Sequence, residues 1–125
     1  MEEEKMAMIL LAEDEAVLRM LIGDTLEDEG HLLDIACDGE EALQKISHNQ
    51  YDLLILDYMM PKLTGFEVLT RMKQMTDKQA AKVLILSAES QHAEQEKMRA
   101  AGADDFMPKP FSPLELVRKV GDMLA

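Results

Sequence analysis

Asp57 ends an aliphatic run, Leu53-Leu54-Ile55-Leu56, and Pro61 follows four residues later. A continuous apolar run this short reads as a strand buried on both faces. Proline cannot donate a ladder hydrogen bond, so the strand is over by position 61. Asp57 is therefore expected at the carboxyl end of a central strand, the edge at which open parallel sheets bind ligands. Other reactive side chains close comparable runs. Glu13 and Asp14 follow residues 6–12, Ser87 ends residues 82–87, and Lys109 follows Asp105-Phe106-Met107. If the first and third runs are neighbours in one sheet, three carboxylates crowd a small space, and like charges at close range raise one another's pKa. A hard divalent cation resolves that conflict. Mg2+ takes octahedral oxygen ligands, commonly one or two carboxylates with waters.

Each residue also has an ordinary structural use. Glu13, Asp14 and Glu15 would offset a helix dipole, and Asp57 would form a turn. Ser87 would cap a helix, and Lys109 would be a surface cation. Their joint placement at carboxyl ends of strands, with none at the opposite ends, favours a shared site.

The elements that must position them follow from periodicity and punctuation. Val17, Leu18, Leu21, Ile22 and Leu26 form a helical stripe closing at Gly30, which is placed as a left-handed cap. Residues 32–36 read as a second strand. Asp38-Gly39-Glu40-Glu41 has capping-box spacing, with Glu41 reaching back to Asp38 and Ala42, Leu43 and Ile46 inward. Thr64-Gly65-Phe66-Glu67 repeats that spacing for a helix to about Met75. A helix over about 91–101 ends at Gly102. Ser112-Pro113-Leu114-Glu115 opens the last helix, with proline at the first helical position and Val117, Val120 and Leu124 inward. Strand and helix alternate about five times through short connections. That pattern demands right-handed crossovers and a parallel sheet with helices on both faces.

The chain has 125 residues, 47% of them hydrophobic, enough for one domain with a real core. Its net charge of -12 repels nucleic-acid phosphates and anionic lipid, so no direct nucleic-acid or membrane contact is expected. A divalent cation or a partner with a basic face is the natural complement. The single Cys37 excludes an intramolecular disulfide, fits a reducing compartment and reads as a small buried residue. Met1-Glu2-Glu3-Glu4-Lys5 lacks the basic start of a signal peptide, and no run approaches a membrane span. A cytoplasmic location is expected.

The order and spacing of four segments resemble a known family across essentially the whole chain. They are Ile9-Leu10-Leu11-Ala12-Glu13-Asp14-Glu15; Asp52-Leu53-Leu54-Ile55-Leu56-Asp57-Tyr58-Met59-Met60-Pro61 with Thr64-Gly65-Phe66-Glu67; Val83-Leu84-Ile85-Leu86-Ser87-Ala88; and Gly102-Ala103-Asp104-Asp105-Phe106-Met107-Pro108-Lys109-Pro110-Phe111. The resemblance is to the receiver (CheY-like) domains of two-component response regulators. It implies a flavodoxin-like α/β three-layer sandwich, with a five-stranded parallel sheet of order 2-1-3-4-5 and a single receiver domain over 1–125. It further implies that Asp57 accepts a phosphoryl group from a histidine kinase or histidine phosphotransfer protein. Glu13, Asp14, Asp57 and the backbone carbonyl of Met59 would hold Mg2+. Ser87 and Lys109 would contact the phosphoryl oxygens, and Ala88 would leave the site open to small donors or water. The protein would be a phosphorylation-switched regulator, no enzyme beyond its own phosphotransfer and dephosphorylation. Phosphoryl transfer depends mostly on positioning and charge neutralisation, which this residue set can supply.

The same resemblance casts Phe106 as the aromatic switch residue. Tyrosine is common there, and without its hydroxyl the inward rotamer is expected to be favoured. Phosphorylation adds about -1.5 to -2 charge; Ser87 would move toward it, Phe106 would fill the vacated space, and the surface of the fourth helix, fifth strand and fifth helix would change. Met59 and Glu89 would flank the water path to the acyl phosphate, and Lys109-Pro110 resembles the family's cis peptide. Asp104, Asp105, Glu115 and Lys119 resemble the dimer surface of receivers joined to winged-helix DNA-binding domains, which implies a phosphorylation-dependent homodimer. Gln95 stands where such receivers often carry a basic partner. A hydrolase with an aspartyl-phosphate intermediate would want a second aspartate at the position of Met59. A flavin-binding protein of this fold would want a phosphate loop where Glu13-Asp14-Glu15 repels phosphate. The remaining alternative, a receiver-like interaction module that is not phosphorylated, is opposed by the intact Glu13, Asp14, Asp57, Ser87 and Lys109.

Overall fold

The computed structural model describes residues 6–75, 77, 80–88 and 92–125. Ten elements alternate along the chain: β1 (Met8–Ala12), α1 (Ala16–Asp28), β2 (Leu32–Ala36), α2 (Gly39–His48), β3 (Leu53–Asp57), α3 (Gly65–Lys73), β4 (Lys82–Ala88), α4 (His92–Ala100), β5 (Asp105–Lys109) and α5 (Pro113–Leu124). The five strands form one parallel sheet in the order β2-β1-β3-β4-β5, so β1 and β3 are central neighbours with Ala12 opposite Leu56. This is the flavodoxin-like order the resemblance implied.

The central strands β1, β3 and β4 are apolar on both faces because helices cover both. Leu10, Leu54, Leu56, Val83 and Ile85 point into the layer of α2, α3 and α4. Their neighbours Ile9, Leu11, Leu53, Ile55, Leu84 and Leu86 point into the layer of α1 and α5. Side chains of successive strand residues alternate in this way, and burying each Leu or Ile contributes about 1.5–3 kcal/mol.

Helix ends follow the local signals, with one shift. Thr64 and Ser112 each form a complete capping box with Glu67 and Glu115. Asp38 accepts from the Glu41 amide, but the Glu41 carboxylate accepts from the amide of Cys37, one residue before the cap, at 2.7 Å. Gly30 and Gly102 take positive φ angles of 93° and 116° just past α1 and α4, a conformation open to glycine at no steric cost. Residue 91, the expected start of α4, lies outside the described residues.

Three expectations are corrected. In α1 the buried residues are Ile22, Gly23 and Leu26, while Val17 is 75% exposed and Leu21 is also exposed. In α5 the inner stripe is Leu116, Val120 and Met123, turned by one residue from the expected set. Cys37 is exposed, because it stands in the connection just beyond β2 where no helix covers it. Among the described residues, no helix is long and apolar enough to cross a membrane.

At the amino ends of the strands, polar side chains close the ladder. His31 Nδ1 accepts from the Ala7 amide at 3.2 Å. Asp52 and Asp104 accept from the amides of Met8 and Val83, each at 2.8 Å.

Candidate functional site

The carboxyl ends of β1, β3, β4 and β5 share the opposite rim. Asp57 pairs with Leu86 across β3 and β4, which sets Ser87 one step beyond it, and Ala88 pairs with Lys109. Glu13 is fully buried next to Ala12. Its amide donates to the Ala36 carbonyl, and its carboxylate accepts from the Glu15 amide at 3.1 Å and from Lys109 Nζ at 3.1 Å. Lys109 Nζ also lies 3.0 Å from Asp57 Oδ2. One carboxylate oxygen from each of Glu13, Asp14 and Asp57 falls within 4.8 Å of the others. Asp14 is exposed while the other two are buried, so the cluster opens on one side.

The electrostatics follow from that crowding. Burial pushes the Glu13 carboxyl up to about 7; the Glu15 amide pulls the other way, and the neighbouring Asp57 charge adds to the rise. Burial alone would lower Lys109, but its hydrogen bonds and charge pairing with Asp57 and Glu13 outweigh that and hold its pKa above the ordinary value. One ammonium shared by two buried carboxylates, with a third alongside, leaves surplus negative charge. All-oxygen donors at this spacing suit a hard cation such as Mg2+. A second feature fits an oxygen-rich guest: Ser87 is 4% exposed, and its hydroxyl has no hydrogen-bond partner among the described residues. Buried hydroxyls are normally paired, so an orphan calls for an explanation.

Backbone geometry holds the cluster in place. Gly65 donates its amide to the Tyr58 carbonyl at 2.9 Å, and a Cβ there would stand 2.7 Å from the Asp57 carbonyl oxygen. Lys62, with φ 73°, is the centre of a tight turn closed by the Leu63 amide on the Pro61 carbonyl at 2.8 Å, a strained form of γ-turn. The same Pro61 carbonyl accepts from the Gly39 amide at 3.2 Å, pinning the loop to the start of α2. Arg19 Nη1 donates to the Glu13 carbonyl at 2.8 Å.

Arg19, Lys62 and Gly65 were not identified from the sequence. Gly65 stood out only as the first residue of a helix. Arg19 offered one weak signal, a cation six residues after Glu13 on the first turn of a helix.

Behind Ser87, a narrow cleft is lined by Tyr58, Ile85, Glu94, Met98 and Phe106. Phe106 takes the inward orientation, 7% exposed, with the Arg99 guanidinium 4.8 Å from its ring centre. Tyr58 Oη donates to Glu94 Oε2 at 3.0 Å; burial first, then this carboxylate, raises the phenol's pKa. The Met59 side chain is 61% exposed, the Lys109-Pro110 peptide is cis, and Glu89 lies outside the described residues. The four residues resembling a dimer surface all have partners within the chain. Asp104 caps β4, Lys119 pairs with Asp105 at 3.0 Å, and Glu115 serves the Ser112 capping box.

The family model for the response regulator receiver domain matches residues 9–121. Among curated relatives, the transcriptional regulatory protein ResD of Bacillus subtilis is 38% identical over 99% of this chain and 50% of its own length. The phosphate regulon transcriptional regulatory protein PhoB of Rhizobium meliloti is 37% identical over 93% of this chain and 51% of its own. The chain thus spans about half the length of these relatives. Among solved structures, the chemotaxis response regulator CheY4 of Vibrio cholerae superposes with a TM-score of 0.91 at 31% identity, over 96% of this chain and all of that one. The receiver domain of the sensor histidine kinase PA1611 of Pseudomonas aeruginosa, solved with a magnesium ion coordinated in its active-site cleft, matches with a TM-score of 0.86 at 25% identity, over 96% of this chain and 98% of that one.

Proposed function

Since the chain belongs to the response regulator receiver domain family, we propose that it is a phosphoacceptor signalling domain in which Asp57 takes the phosphoryl group. An Asp57 oxygen attacks the phosphorus of a phosphohistidine on a histidine kinase or phosphotransfer protein. The new O–P bond forms as the N–P bond breaks, and the imidazole leaves with the bonding pair. Glu13, Asp14 and Asp57, with the Met59 carbonyl, would hold Mg2+. When bound, the cation neutralises charge on the transferring oxygens. Lys109, which balances Glu13 and Asp57, goes on to balance the phosphoryl oxygens. Ser87 donates its hydroxyl to one of them.

The single observation carrying this reading is the buried Ser87 hydroxyl, unpartnered among the described residues, one step beyond Asp57 and on the same rim as Lys109. Buried hydroxyls are normally paired, and a phosphoryl oxygen on Asp57 would give this one a partner. Residues 1–125 act as one receiver unit, in the cytoplasm, and do no chemistry beyond their own phosphotransfer and dephosphorylation. The excess of 25 acidic over 13 basic side chains supports a role without nucleic-acid contact by this segment. Any phosphorylation-dependent homodimer uses the α4, β5 and α5 face. The test is to incubate the protein with Mg2+ and acetyl phosphate and weigh it intact. A single phosphoryl adduct, lost on chelation and in Asp57→Asn, is expected; an unmodified mass with every donor would favour the non-phosphorylated interaction module.

A further inference from the structure

Among the described side chains of α4, only Met98 is buried. Polar bridges fasten this helix to the region after β3. Tyr58 Oη donates to Glu94 Oε2 at 3.0 Å, and Lys97 Nζ lies 4.0 Å from that same oxygen. Lys97 Nζ also sits 4.3 Å over the ring of Phe66, at the start of α3. Tyr58 directly follows Asp57, and the Gly65–Tyr58 backbone bond ties Phe66 to the same peptide. A continuous set of contacts therefore runs from the phosphoacceptor through Tyr58 to Glu94 and Lys97 on α4, apart from the route through Ser87 and Phe106. A helix with so little apolar burial opens at low cost, and a few side-chain bonds decide where it rests.

We infer that Tyr58 and Glu94 form a latch holding α4 in its unmodified position, and that the phosphoryl-bearing form is reached by working against it. Ser87 moving toward a group on Asp57 draws the end of β4 with it, and Glu94 lies only seven residues further on. The latch resists that movement at the start of α4. Tyr58 is then a positioning residue, outside the chemistry. The existence of the latch stands on the contacts alone; its coupling to Asp57 rests on the proposed function.

Two measurements separate those halves. Hydrogen exchange of α4 amides is followed in the full chain without any phosphodonor, for wild type, Tyr58→Phe, Glu94→Ala and the double variant. Loss of one bond to a carboxylate predicts exchange faster by roughly five- to tenfold in Tyr58→Phe and at least as fast in Glu94→Ala, which also loses the Lys97 pair; the double is expected to be no faster than Glu94→Ala, which already lacks the Tyr58 bond. Rates within twofold of wild type, or singles whose effects add in full, would overturn the latch. Beryllofluoride with Mg2+ then serves as the phosphoryl mimic. Tyr58→Phe is expected to bind it several-fold more tightly, since the bound form no longer works against the latch. Faster exchange with unchanged beryllofluoride affinity overturns the coupling. Absence of any beryllofluoride binding by wild type would instead sink the phosphoacceptor reading and leave the exchange result standing.

Discussion

Replacing Gly65 with alanine sets a methyl group against the peptide that carries Asp57. The added carbon would lie 2.7 Å from the Asp57 carbonyl oxygen and 3.1 Å from Tyr58 Cα, about 0.7 Å inside ordinary contact at the closer atom. Both neighbours are backbone, so no side chain can swing aside. The start of α3 must move off the end of β3, stretching the 2.9 Å bond from the Gly65 amide to the Tyr58 carbonyl. Overpacking of this kind costs about 1–3 kcal/mol, offset in part by the ~0.5–1 kcal/mol that alanine gains over glycine in a helix. A net loss of about 1–2 kcal/mol is expected. The displaced residue is the proposed phosphoacceptor, and misplacement of a reacting group by up to an ångström slows transfer by roughly 10- to 100-fold. Gly23→Ala and Gly121→Ala are the controls: a Cβ at either meets nothing within 4 Å, so each should gain about 0.5–1 kcal/mol. Urea denaturation gives the three stabilities, and intact-mass time courses with Mg2+ and acetyl phosphate give the rates. If Gly65→Ala matches Gly121→Ala in stability and wild type in rate, the close approach does not constrain Asp57 and the reasoning fails.

Ser87→Ala should leave stability unchanged or raise it by up to about 1 kcal/mol, because the lost hydroxyl has no partner among the described residues, while beryllofluoride affinity falls; marked destabilisation in urea would show that the hydroxyl is structural. Lys109→Met strands two buried carboxylates and should cost about 3 kcal/mol without metal, part of it regained on adding Mg2+; a thermal scan indifferent to Mg2+ would contradict this. Glu13 has its folded pKa raised from 4.5 to about 7, so the folded state binds that proton more tightly than the unfolded chain. Metal-free stability should therefore fall as pH rises through that window, whereas Mg2+ affinity by calorimetry should rise, because the cation displaces the proton; Glu13→Gln should flatten both. Tyr51→Phe loses a 2.6 Å bond to Asp34 and should cost about 1 kcal/mol without changing phosphoryl uptake, measured on the same samples.

Local chemistry made much of this molecule legible. Thr64 and Ser112 each announce a helix within four residues, and the run before Asp57 could only be a strand covered on both sides. Because strand ends were readable, so was the meeting of Glu13, Asp14, Asp57, Ser87 and Lys109 at one rim. What failed depended on how elements turn against each other. In α5, Leu116, Val120 and Met123 and the expected Val117, Val120 and Leu124 are both helical stripes; the orientation of the helix on the sheet chooses between them. In α1, Val17 and Leu21 satisfy the same period as Ile22 and Leu26, yet they face outward. Cys37 was read by residue type alone, and type says nothing about a connection just past a strand. The bonds that orient the site, Arg19 to the Glu13 carbonyl and Tyr58 to Glu94, join residues whose partners no short-range pattern names.

The two rims of the sheet are finished differently. Where the strands begin, His31, Asp52 and Asp104 leave the first amides of the ladder satisfied; where they end, the Ser87 hydroxyl has no partner among the described residues. In a random-variant library, damage should sort by phenotype accordingly. Changes at Asp52 or Asp104 would thin the cellular pool of the protein and lower its total phosphoryl uptake in proportion. Changes at Ser87 would leave the pool full and lower the phosphoryl uptake of each molecule, so one immunoblot beside one uptake measurement would tell which rim a given variant struck.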